Sequence, residues 1–230
     1  MKIVGLLGGM SWESTVPYYR LMNQIVKTHL GGLHSAKLVL YSVDFQPIEE
    51  LQHAGRWADA GRLLARAAAS LERAGAEALV LCTNTMHCVA DDIQAAIGIP
   101  LLHIADATAE AVRNQGVTAV GLLGTRFTME QPFYVERLRQ RYGLDVLVPE
   151  EPERAEVHRI IYEELCQGVI RAEARAAYER VIDGLVQRGA QGVILGCTEI
   201  GLLVNPGALP VPGFDTTAIH AARAVEFALS

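Results

Sequence analysis

Lysine is scarce in this sequence, and its basic residues form no cluster. Only Lys2, Lys27 and Lys37 are lysines, and 20 basic residues against 26 acidic ones give a net charge of −6. Nucleic-acid-binding proteins usually carry a basic patch, so we expect no nucleic-acid partner. No apolar run approaches the ~20 residues of a membrane-spanning helix, and Met1–Gly9 is too short and glycine-rich for a signal peptide. We therefore expect no membrane partner.

The cysteines are few and show no pairing pattern. Cys82, Cys88, Cys166 and Cys197 contain no Cys-x-x-Cys spacing, and their density is too low for a disulfide framework. Such usage is typical of the reducing cytoplasm, where we expect the protein to reside. The histidines are scattered, and His87 and Cys88 are adjacent rather than at i, i+4 spacing, so no metal site is predicted.

Several common catalytic motifs are also missing. The glycine-rich segment Gly8–Thr15 fits neither Gly-x-Gly-x-x-Gly nor the Gly-Lys-Ser/Thr ending of a phosphate-binding loop. A nucleotide site is therefore weakly supported, and a smaller anion such as an amino-acid carboxylate would suit this turn better. No Gly-x-Ser-x-Gly segment is present, which argues against a serine hydrolase.

What the chain does contain is an internal repeat. Three segments of the first half recur in the same order in the second half, at offsets of 116, 114 and 109 residues. This spacing predicts two versions of one unit about half the length of the chain. The matched pairs are Val4–Gly8 with Val120–Gly124, Gly75–Asn84 with Gly189–Thr198, and Ala105–Thr108 with Phe214–Thr217.

Short apolar runs alternate with longer segments of helical periodicity. Trp57–Ala74 and Ala172–Arg188 repeat Ala and Leu at helical spacing, whereas eight short runs predict buried strands. Strands that are apolar on both faces and alternate with helices predict an α/β fold of parallel sheets covered on both sides. The predicted strands are Ile3–Leu7, Lys37–Val43, Ala78–Leu81, Leu101–Ile104, Ala119–Leu123, Val146–Val148, Val193–Leu195 and Val211–Phe214.

The repeat and the strand pattern together predict two pseudo-symmetric domains with the active site in the cleft between them. The first domain is predicted to comprise residues 1–98 plus 210–230, and the second residues 99–209. The polar, proline-marked segment Pro149–Arg154 is interpreted as a loop near the site rather than as a boundary. In parallel sheets ligands bind at the carboxyl ends of the strands, so the residues that follow the strands are the site candidates.

Two strand ends that are related by the repeat carry different reactive side chains. Thr83 aligns with Cys197, and two facing domains would place these residues on opposite sides of one cleft. Asn84 and Thr85 follow Thr83, and Thr198 follows Cys197; such polar groups at the start of a helix suit a carboxylate ligand. Thr and Asn also cap helices in proteins without a ligand there, but the recurrence of the pattern with a cysteine in each copy favours a functional site.

These segments together resemble the aspartate/glutamate racemase family. The resemblance covers the whole chain in order and is closest to the aspartate racemase branch, because Glu199 stands where glutamate racemases usually have histidine. It implies a cofactor-independent, two-domain and commonly dimeric enzyme that inverts an α-carbon with one cysteine on each face of the substrate. The segments that carry it are Gly5–Thr15, Asn84–His87, Leu122–Thr125 and Gly196–Ile200.

The first-half cysteine of this family pattern is missing here. Thr83 occupies its position, and the nearest thiol, Cys82, lies one residue earlier. Neighbouring residues of a strand point to opposite faces, so we interpret Cys82 as buried packing. The resemblance implies that Cys197 deprotonates the L-substrate, and Thr83 is expected to deliver or relay a proton on the other face. A positive helix end can lower the pKa of a thiol, so we expect a lowered pKa for Cys197.

The remaining site residues are assigned with help from the resemblance. Asn84, Thr85, Thr125 and Thr198 are expected to bind the substrate carboxylates, and the resemblance implies that Met10 and Gln52 line the pocket. Glu199 is expected either to bind the substrate ammonium or to orient Cys197. Glu164 is a further candidate from the second half, and His87 is an alternative second-face group. The scarcity of lysine, with none at a proposed site, predicts activity without pyridoxal phosphate.

The predicted reaction is racemisation of L-aspartate, L-glutamate or both by a homodimer without a cofactor. The sequence does not rank these two substrates. Two alternatives remain open: another isomerase of the superfamily, such as a maleate isomerase or hydantoin racemase, and a non-catalytic amino-acid sensor.

Overall fold

A computed structural model describes all residues from Met1 to Ser230. Eight strands are joined by eleven α-helices and by three short 3₁₀ helices at Thr85–Val89, Leu165–Gln167 and Pro206–Ala208. The strands are β1 (Val4–Gly8), β2 (Leu38–Ser42), β3 (Ala78–Leu81), β4 (Leu101–Leu102), β5 (Ala119–Gly124), β6 (Asp145–Leu147), β7 (Gly192–Gly196) and β8 (Gly213–Asp215). The α-helices are α1 (Trp12–Leu30), α2 (Phe45–His53), α3 (Trp57–Arg73), α4 (Ala90–Ala95), α5 (Ile104–Asn114), α6 (Arg126–Glu130), α7 (Pro132–Tyr142), α8 (Glu153–Glu163), α9 (Ala172–Gln187), α10 (Ile200–Leu203) and α11 (Thr216–Leu229).

The chain forms two compact units, each built on one four-stranded sheet. Unit 1 comprises Met1–Ile104 with His220–Ser230, and unit 2 comprises Ala105–Ile219. The strand order is β2-β1-β3-β4 in unit 1 and β6-β5-β7-β8 in unit 2, and every pairing is parallel. The predicted α/β class, the eight strands and the two long helices α3 and α9 are confirmed. No helix has both the length and the apolar character needed to cross a membrane.

The division of the chain differs from the predicted boundaries at both junctions. β4 pairs with β3 and β8 pairs with β7, so the fourth strand of each sheet belongs with the strands that precede it. The predicted ranges, residues 1–98 plus 210–230 and residues 99–209, instead assign each fourth strand to the other domain. The predicted loop at Pro149–Arg154 is also shorter than expected, because α8 begins at Glu153.

The repeat found in the sequence recurs in the strand register of each sheet. Leu7 of β1 pairs with Leu81 of β3, and Leu123 of β5 pairs with Leu195 of β7. Equivalent side-chain hydrogen bonds precede these strands: Glu77 Oε1 accepts from the backbone N–H of Ile3 at 2.9 Å. Its counterpart Gln191 Oε1 accepts from the N–H of Ala119 at 3.4 Å. The register therefore makes Thr83 and Cys197 equivalent, since each lies two residues beyond a paired leucine.

Equivalent glycines on the two central strands let a helix pack closely against each sheet. A Cβ on Gly5 would lie 3.2 Å from Leu71 Cβ of α3, and a Cβ on Gly121 would lie 3.2 Å from Leu185 Cβ of α9. A third glycine breaks the symmetry between the units. Gly196 is equivalent to Cys82, and a Cβ at Gly196 would lie only 2.8 Å from the carbonyl oxygen of Leu123. A side chain is therefore accommodated at this position in unit 1 but not in unit 2.

The sheet of unit 1 separates two apolar clusters. Leu79 and Leu81 of β3 belong to the cluster packed against α3, whereas Val80 belongs to the cluster that contains α1 and α11. Burial on both faces is the arrangement that the continuous apolar sequence of β3 predicts.

A buried histidine links α11 to the sheet of unit 1. His220 is fully buried, its Nε2 donates to the carbonyl oxygen of Leu102 at 2.6 Å, and its Nδ1 accepts from the hydroxyl of Tyr18 at 2.9 Å. Burial disfavours the imidazolium form and lowers the pKa of His220 to about 4 from its ordinary value of 6.5. The ring is therefore neutral in the folded protein over the whole physiological pH range.

This pKa predicts a specific loss of stability in acid. Below pH 6.5 the unfolded chain binds a proton at His220 that the folded chain does not bind until about pH 4, so stability is complete above pH 6.5 and falls as the pH drops. Between pH 7 and pH 5 the expected loss from this residue is roughly 2 kcal/mol. Urea unfolding of His220→Gln should show a lower stability at pH 7 but a smaller decline towards pH 5. An unchanged decline would contradict the assignment.

Candidate active site

The glycine turn after β1 is held by a side chain of α1. The N–H of Gly9 donates to Thr15 Oγ1 at 2.8 Å. Gly9 has a positive φ of 95°, and a Cβ there would collide with the backbone of Val43, so only glycine fits this turn. Met10 follows it and is buried in the α3-side cluster of unit 1. The turn thus places Met10 at the carboxyl end of the unit 1 sheet.

The Thr83 turn, residues Cys82–Asn84, follows β3 at the same edge of the unit 1 sheet. Thr83, Asn84 and Thr85 are all buried, and the 3₁₀ helix Thr85–Val89 begins directly after them. Gln52 of α2 reaches the same segment, where its Nε2 donates to Met86 Sδ at 2.9 Å. Because β1 and β3 are adjacent, Met10 and the segment Thr83–Thr85 follow neighbouring strands of unit 1. Gln52, the fifth predicted residue of this unit, reaches the same region through Met86.

The two thiols of unit 1, Cys82 and Cys88, are both packed among other side chains. Cys82 is fully buried in the cluster formed with α1 and α11, on the face opposite to Leu81, and burial raises the pKa of this thiol. The position agrees with the interpretation of Cys82 as packing. Cys88 lies in the 3₁₀ helix after Thr85, and burial raises the pKa of Cys88 to about 12. Neither environment favours a thiolate.

The Cys197 turn, residues Cys197–Glu199, follows β7 in unit 2 and contains a tight network. Cys197 Sγ donates to Glu199 Oε2 at 2.9 Å, and Thr198 Oγ1 donates to the same oxygen at 2.6 Å. Glu199 is only 3% exposed, so its carboxylate depends on these donors. One carboxylate therefore fixes both the thiol and the neighbouring hydroxyl.

A second thiol, that of Cys166, joins this network. Cys166 lies in the 3₁₀ helix Leu165–Gln167, and its Sγ is 3.7 Å from Glu199 Oε1. Tyr178 of α9 is buried nearby, its hydroxyl donates to the carbonyl oxygen of Val157 at 3.1 Å, and its pKa is raised by burial and by Cys197. No motif in the sequence indicates the contact between Cys166 and Glu199, which are 33 residues apart.

The protonation state of Cys197 differs from the expectation. Burial raises the pKa of Cys197 well above its ordinary value, and the negative charge of Glu199 raises it further. A lowered pKa at a helix end was expected, and that expectation is wrong because α10 has only four residues and the thiol faces a carboxylate. In this structure Cys197 is therefore a thiol that donates to Glu199, not a thiolate.

Thr125 lies beside the Cys197 turn at the end of the adjacent strand. β5 and β7 are neighbours, with Gly124 paired with Gly196, so Thr125 and Cys197 both follow strands at one edge of the sheet. Thr125 is the N-cap of α6, and its Oγ1 accepts from the N–H of Thr128 at 3.3 Å. The Thr125 hydroxyl also lies 3.2 Å from the hydroxyl of Thr128.

Glu164 is placed at the end of α8, immediately before Leu165–Gln167. It is buried, its Oε1 accepts from Arg159 Nη1 at 3.1 Å, and Arg171 Nε lies 3.9 Å from Oε2. Glu164 therefore already has cationic partners within unit 2. Of the predicted unit 2 residues, the structure brings Cys197, Thr198 and Glu199 into direct contact. No group of three or more His, Cys, Asp or Glu side chains is arranged as a metal site.

Comparisons with known proteins show which family this chain resembles. The profile of the Asp/Glu/hydantoin racemase family matches residues 7–224. A Yersinia pestis protein solved as a candidate Asp/Glu racemase is 61% identical over all of both chains, with a TM-score of 0.93. An aspartate racemase homologue from Pyrococcus horikoshii OT3 is 37% identical over all of both chains, with a TM-score of 0.86.

A more distant relative covers nearly the same length. The broad-specificity amino-acid racemase RacX of Bacillus subtilis strain 168 is 23% identical, over 97% of this chain and 96% of its own. The match of the family profile extends from β1 into α11 and so includes both strand-end turns. The chain therefore belongs to the Asp/Glu/hydantoin racemase family and is an isomerase of that family.

Proposed function

We propose that this protein racemises L-aspartate, L-glutamate or both without a cofactor, using Cys197 and Thr83 on opposite faces of the α-carbon. The observation that carries the proposal is the equivalence of the Thr83 and Cys197 turns in strand register. The aspartate racemase homologue from Pyrococcus horikoshii supports an acidic substrate, and RacX supports an amino acid more generally.

Cys197 is the proposed base for the L-enantiomer. A thiolate is a competent base for a Cα proton, but the Glu199 carboxylate and burial hold Cys197 in its thiol form. Deprotonation must therefore accompany substrate binding. The α-ammonium group of an amino acid supplies the positive charge that offsets Glu199 and makes a thiolate less costly. In this scheme Glu199 orients Cys197, as its 2.9 Å contact with the thiol supports.

Thr83 is the proposed group on the other face. Its hydroxyl has no ionisation near neutral pH, so it serves as a donor or as a relay through water rather than as a base. The racemisation step transfers the α-proton to the Cys197 thiolate and leaves a carbanion stabilised by the substrate carboxylate. A water molecule hydrogen-bonded to Thr83 then gives a proton to the opposite face, and the resulting hydroxide is neutralised by the proton that Cys197 releases as it returns to the thiolate. Asn84, Thr85, Thr125 and Thr198 are proposed donors to the substrate carboxylates. Met10, Gln52 and Glu164 are proposed to shape the pocket.

The thermodynamics of the reaction constrain what the asymmetry can do. Enantiomers have equal free energies in water, so kcat/KM must be equal in the two directions and the final mixture must be racemic. A site with one thiol therefore differs from a two-thiol site in rates alone. Exchange of the α-proton with solvent isolates each face, because it reports proton removal even when inversion does not follow.

The test is α-proton exchange in deuterated water, followed by NMR with L- and D-aspartate and L- and D-glutamate. Protein dialysed against a chelator and hydroxylamine should exchange the L-proton much faster than the D-proton and should slowly form the other enantiomer. Lack of exchange with tight amino-acid binding would instead indicate a sensor. Turnover of maleate or of a hydantoin, with inert amino acids, would indicate another isomerase of the superfamily. Activity that returns only with added pyridoxal phosphate would contradict the mechanism.

A further inference from the structure

His87 is buried directly behind the Thr83 turn. It lies in the 3₁₀ helix Thr85–Val89 and is only 2% exposed. The rings of His103 and His220 flank it, with centroids 4.5 and 5.9 Å away. His87 therefore lies next to the residue proposed for the second face, which makes it a candidate for proton transfer to the substrate.

Both ring nitrogens of His87 already form hydrogen bonds to the backbone. Nδ1 lies 2.8 Å from the carbonyl oxygen of Thr83, and the N–H of Ile104 lies 3.2 Å from Nε2. A backbone N–H can only donate, so Nε2 accepts and carries no proton. A carbonyl can only accept, so Nδ1 carries the proton and donates it. These two contacts assign a single neutral tautomer to the ring.

The contact with Ile104 also opposes protonation of the ring. Ile104 is the first residue of α5, and the first N–H groups of a helix have no partner within the helix. His87 satisfies one of these groups. A second proton on the ring would place a positive Nε2–H against the Ile104 N–H, at the positive end of the helix dipole. Both ring nitrogens are engaged with the backbone, so His87 neither accepts a proton from the substrate nor donates one to it.

We infer that His87 is a positioning residue, which holds the Thr83 carbonyl and thereby fixes the direction of the Thr83 hydroxyl. The inference rests on the proposed role of Thr83 on the second face. It replaces the alternative in which His87 itself protonates the substrate. The hydrogen bond that matters for this role is the one from Nδ1, since the bond to Nε2 serves α5.

Two substitutions separate the two bonds of the ring. The amide of His87→Asn carries an N–H near the position of Nδ1 and can still donate to Thr83. The oxygen of His87→Gln reaches the region of Nε2 and can still accept from Ile104, but the bond to Thr83 is lost. We expect racemisation to fall by about tenfold or more in His87→Gln and to be largely retained in His87→Asn. Exchange of the L-proton by Cys197 should remain close to that of the wild type in both variants.

Backbone amide exchange measured by mass spectrometry tests the same inference without activity. The N–H of Thr83 donates to Leu81 and that of His87 donates to Asn84, so both amides report opening of the turn. We expect faster exchange of this segment in His87→Gln and near wild-type exchange in His87→Asn. His220→Gln is the control for a general loss of stability, because its ring packs against that of His87 but hydrogen-bonds to Leu102 and Tyr18 instead of the turn. Equally fast exchange of the turn in His220→Gln and His87→Gln would overturn the positioning role.

The outcomes distinguish this inference from the proposed function. Unchanged amide exchange in His87→Gln, or equal losses of racemisation in the Asn and Gln variants, would overturn the positioning role. Equal losses of L-proton exchange and racemisation would indicate general damage to the fold and would overturn it as well. If the wild type exchanges no α-proton, the proposed function fails, while the amide measurements still decide whether His87 holds the turn.

Discussion

Thr83→Cys is expected to raise exchange of the α-proton of D-aspartate or D-glutamate in deuterated water by at least about tenfold, with a matching gain in racemisation. A thiol and its thiolate interconvert within reach of neutral pH, whereas a threonine hydroxyl does not ionise there. The substitution therefore adds a base on the face where the present chain has none. Exchange of the L-proton, which depends on Cys197, should change little.

The structure provides a favourable place for this new thiol. Thr83 occupies the same register position in unit 1 that Cys197 occupies in unit 2, two residues beyond the paired leucines. Cysteine is slightly smaller than threonine, so no steric clash is expected at this buried turn. Thr83→Ser is the matched control, because it keeps a hydroxyl of similar size without a thiol, and it should show no gain on the D-side.

The result that would contradict this prediction is equal exchange of both enantiomers by the wild type, with no gain in Thr83→Cys. Another group would then serve the second face. The hydrogen bonds of His87 argue against that residue, which leaves a held water molecule as the next candidate.

Cys197→Ser is expected to reduce exchange of the L-proton and racemisation by at least about 100-fold. Serine retains a hydrogen-bond donor to Glu199 but has no accessible ionised form, so the turn should survive while the base is lost. Cys82→Ser and Cys88→Ala should keep most of the activity, because both thiols are embedded in protein packing. If Cys82→Ser is as damaging as Cys197→Ser while the fold is intact, Cys82 is the second thiol and the role assigned to Thr83 is wrong.

The pH dependence provides an independent check on Cys197. A base must be deprotonated to act, and burial together with Glu199 raises the pKa of this thiol well above its ordinary value. For the free enzyme, kcat/KM with the L-substrate should therefore rise about tenfold per pH unit from pH 7 to 9 without reaching a plateau. A plateau near pH 7 would show that the thiolate is already formed before the substrate binds.

The repeat and the strand pattern were sufficient to predict the sheets, because the central strands β1, β3, β5 and β7 are buried along nearly all of their length and appear in the sequence as apolar runs. Alignment of the two halves also paired Thr83 with Cys197, as the register of each sheet requires. The domain boundaries could not be predicted from the sequence in the same way. Whether β4 and β8 pair with the preceding or the following strands depends on hydrogen bonds between distant segments, which local periodicity does not encode.

The electrostatics of the Cys197 turn could not be derived from sequence order. The adjacency of Cys197, Thr198 and Glu199 is visible in the sequence, but the direction of the Glu199 side chain is set by folding. The approach of Cys166 to the same carboxylate depends on the placement of a 3₁₀ helix far along the chain. Likewise, the bond from the Ile104 N–H to Nε2 of His87 joins segments that are 17 residues apart in the sequence.

The glycine at position 196 limits where a reactive sulfur can arise during divergence of this chain. In unit 1, neighbouring positions 82 and 83 both accept side chains, so a cysteine can move from one to the other with the strand intact. In unit 2 the corresponding shift would place a side chain at Gly196, 2.8 Å from the carbonyl oxygen of Leu123. A side chain is therefore sterically permitted at position 82 and blocked at position 196. A sulfur at the end of β7 is confined to position 197, whereas the end of β3 has room for one at either 82 or 83.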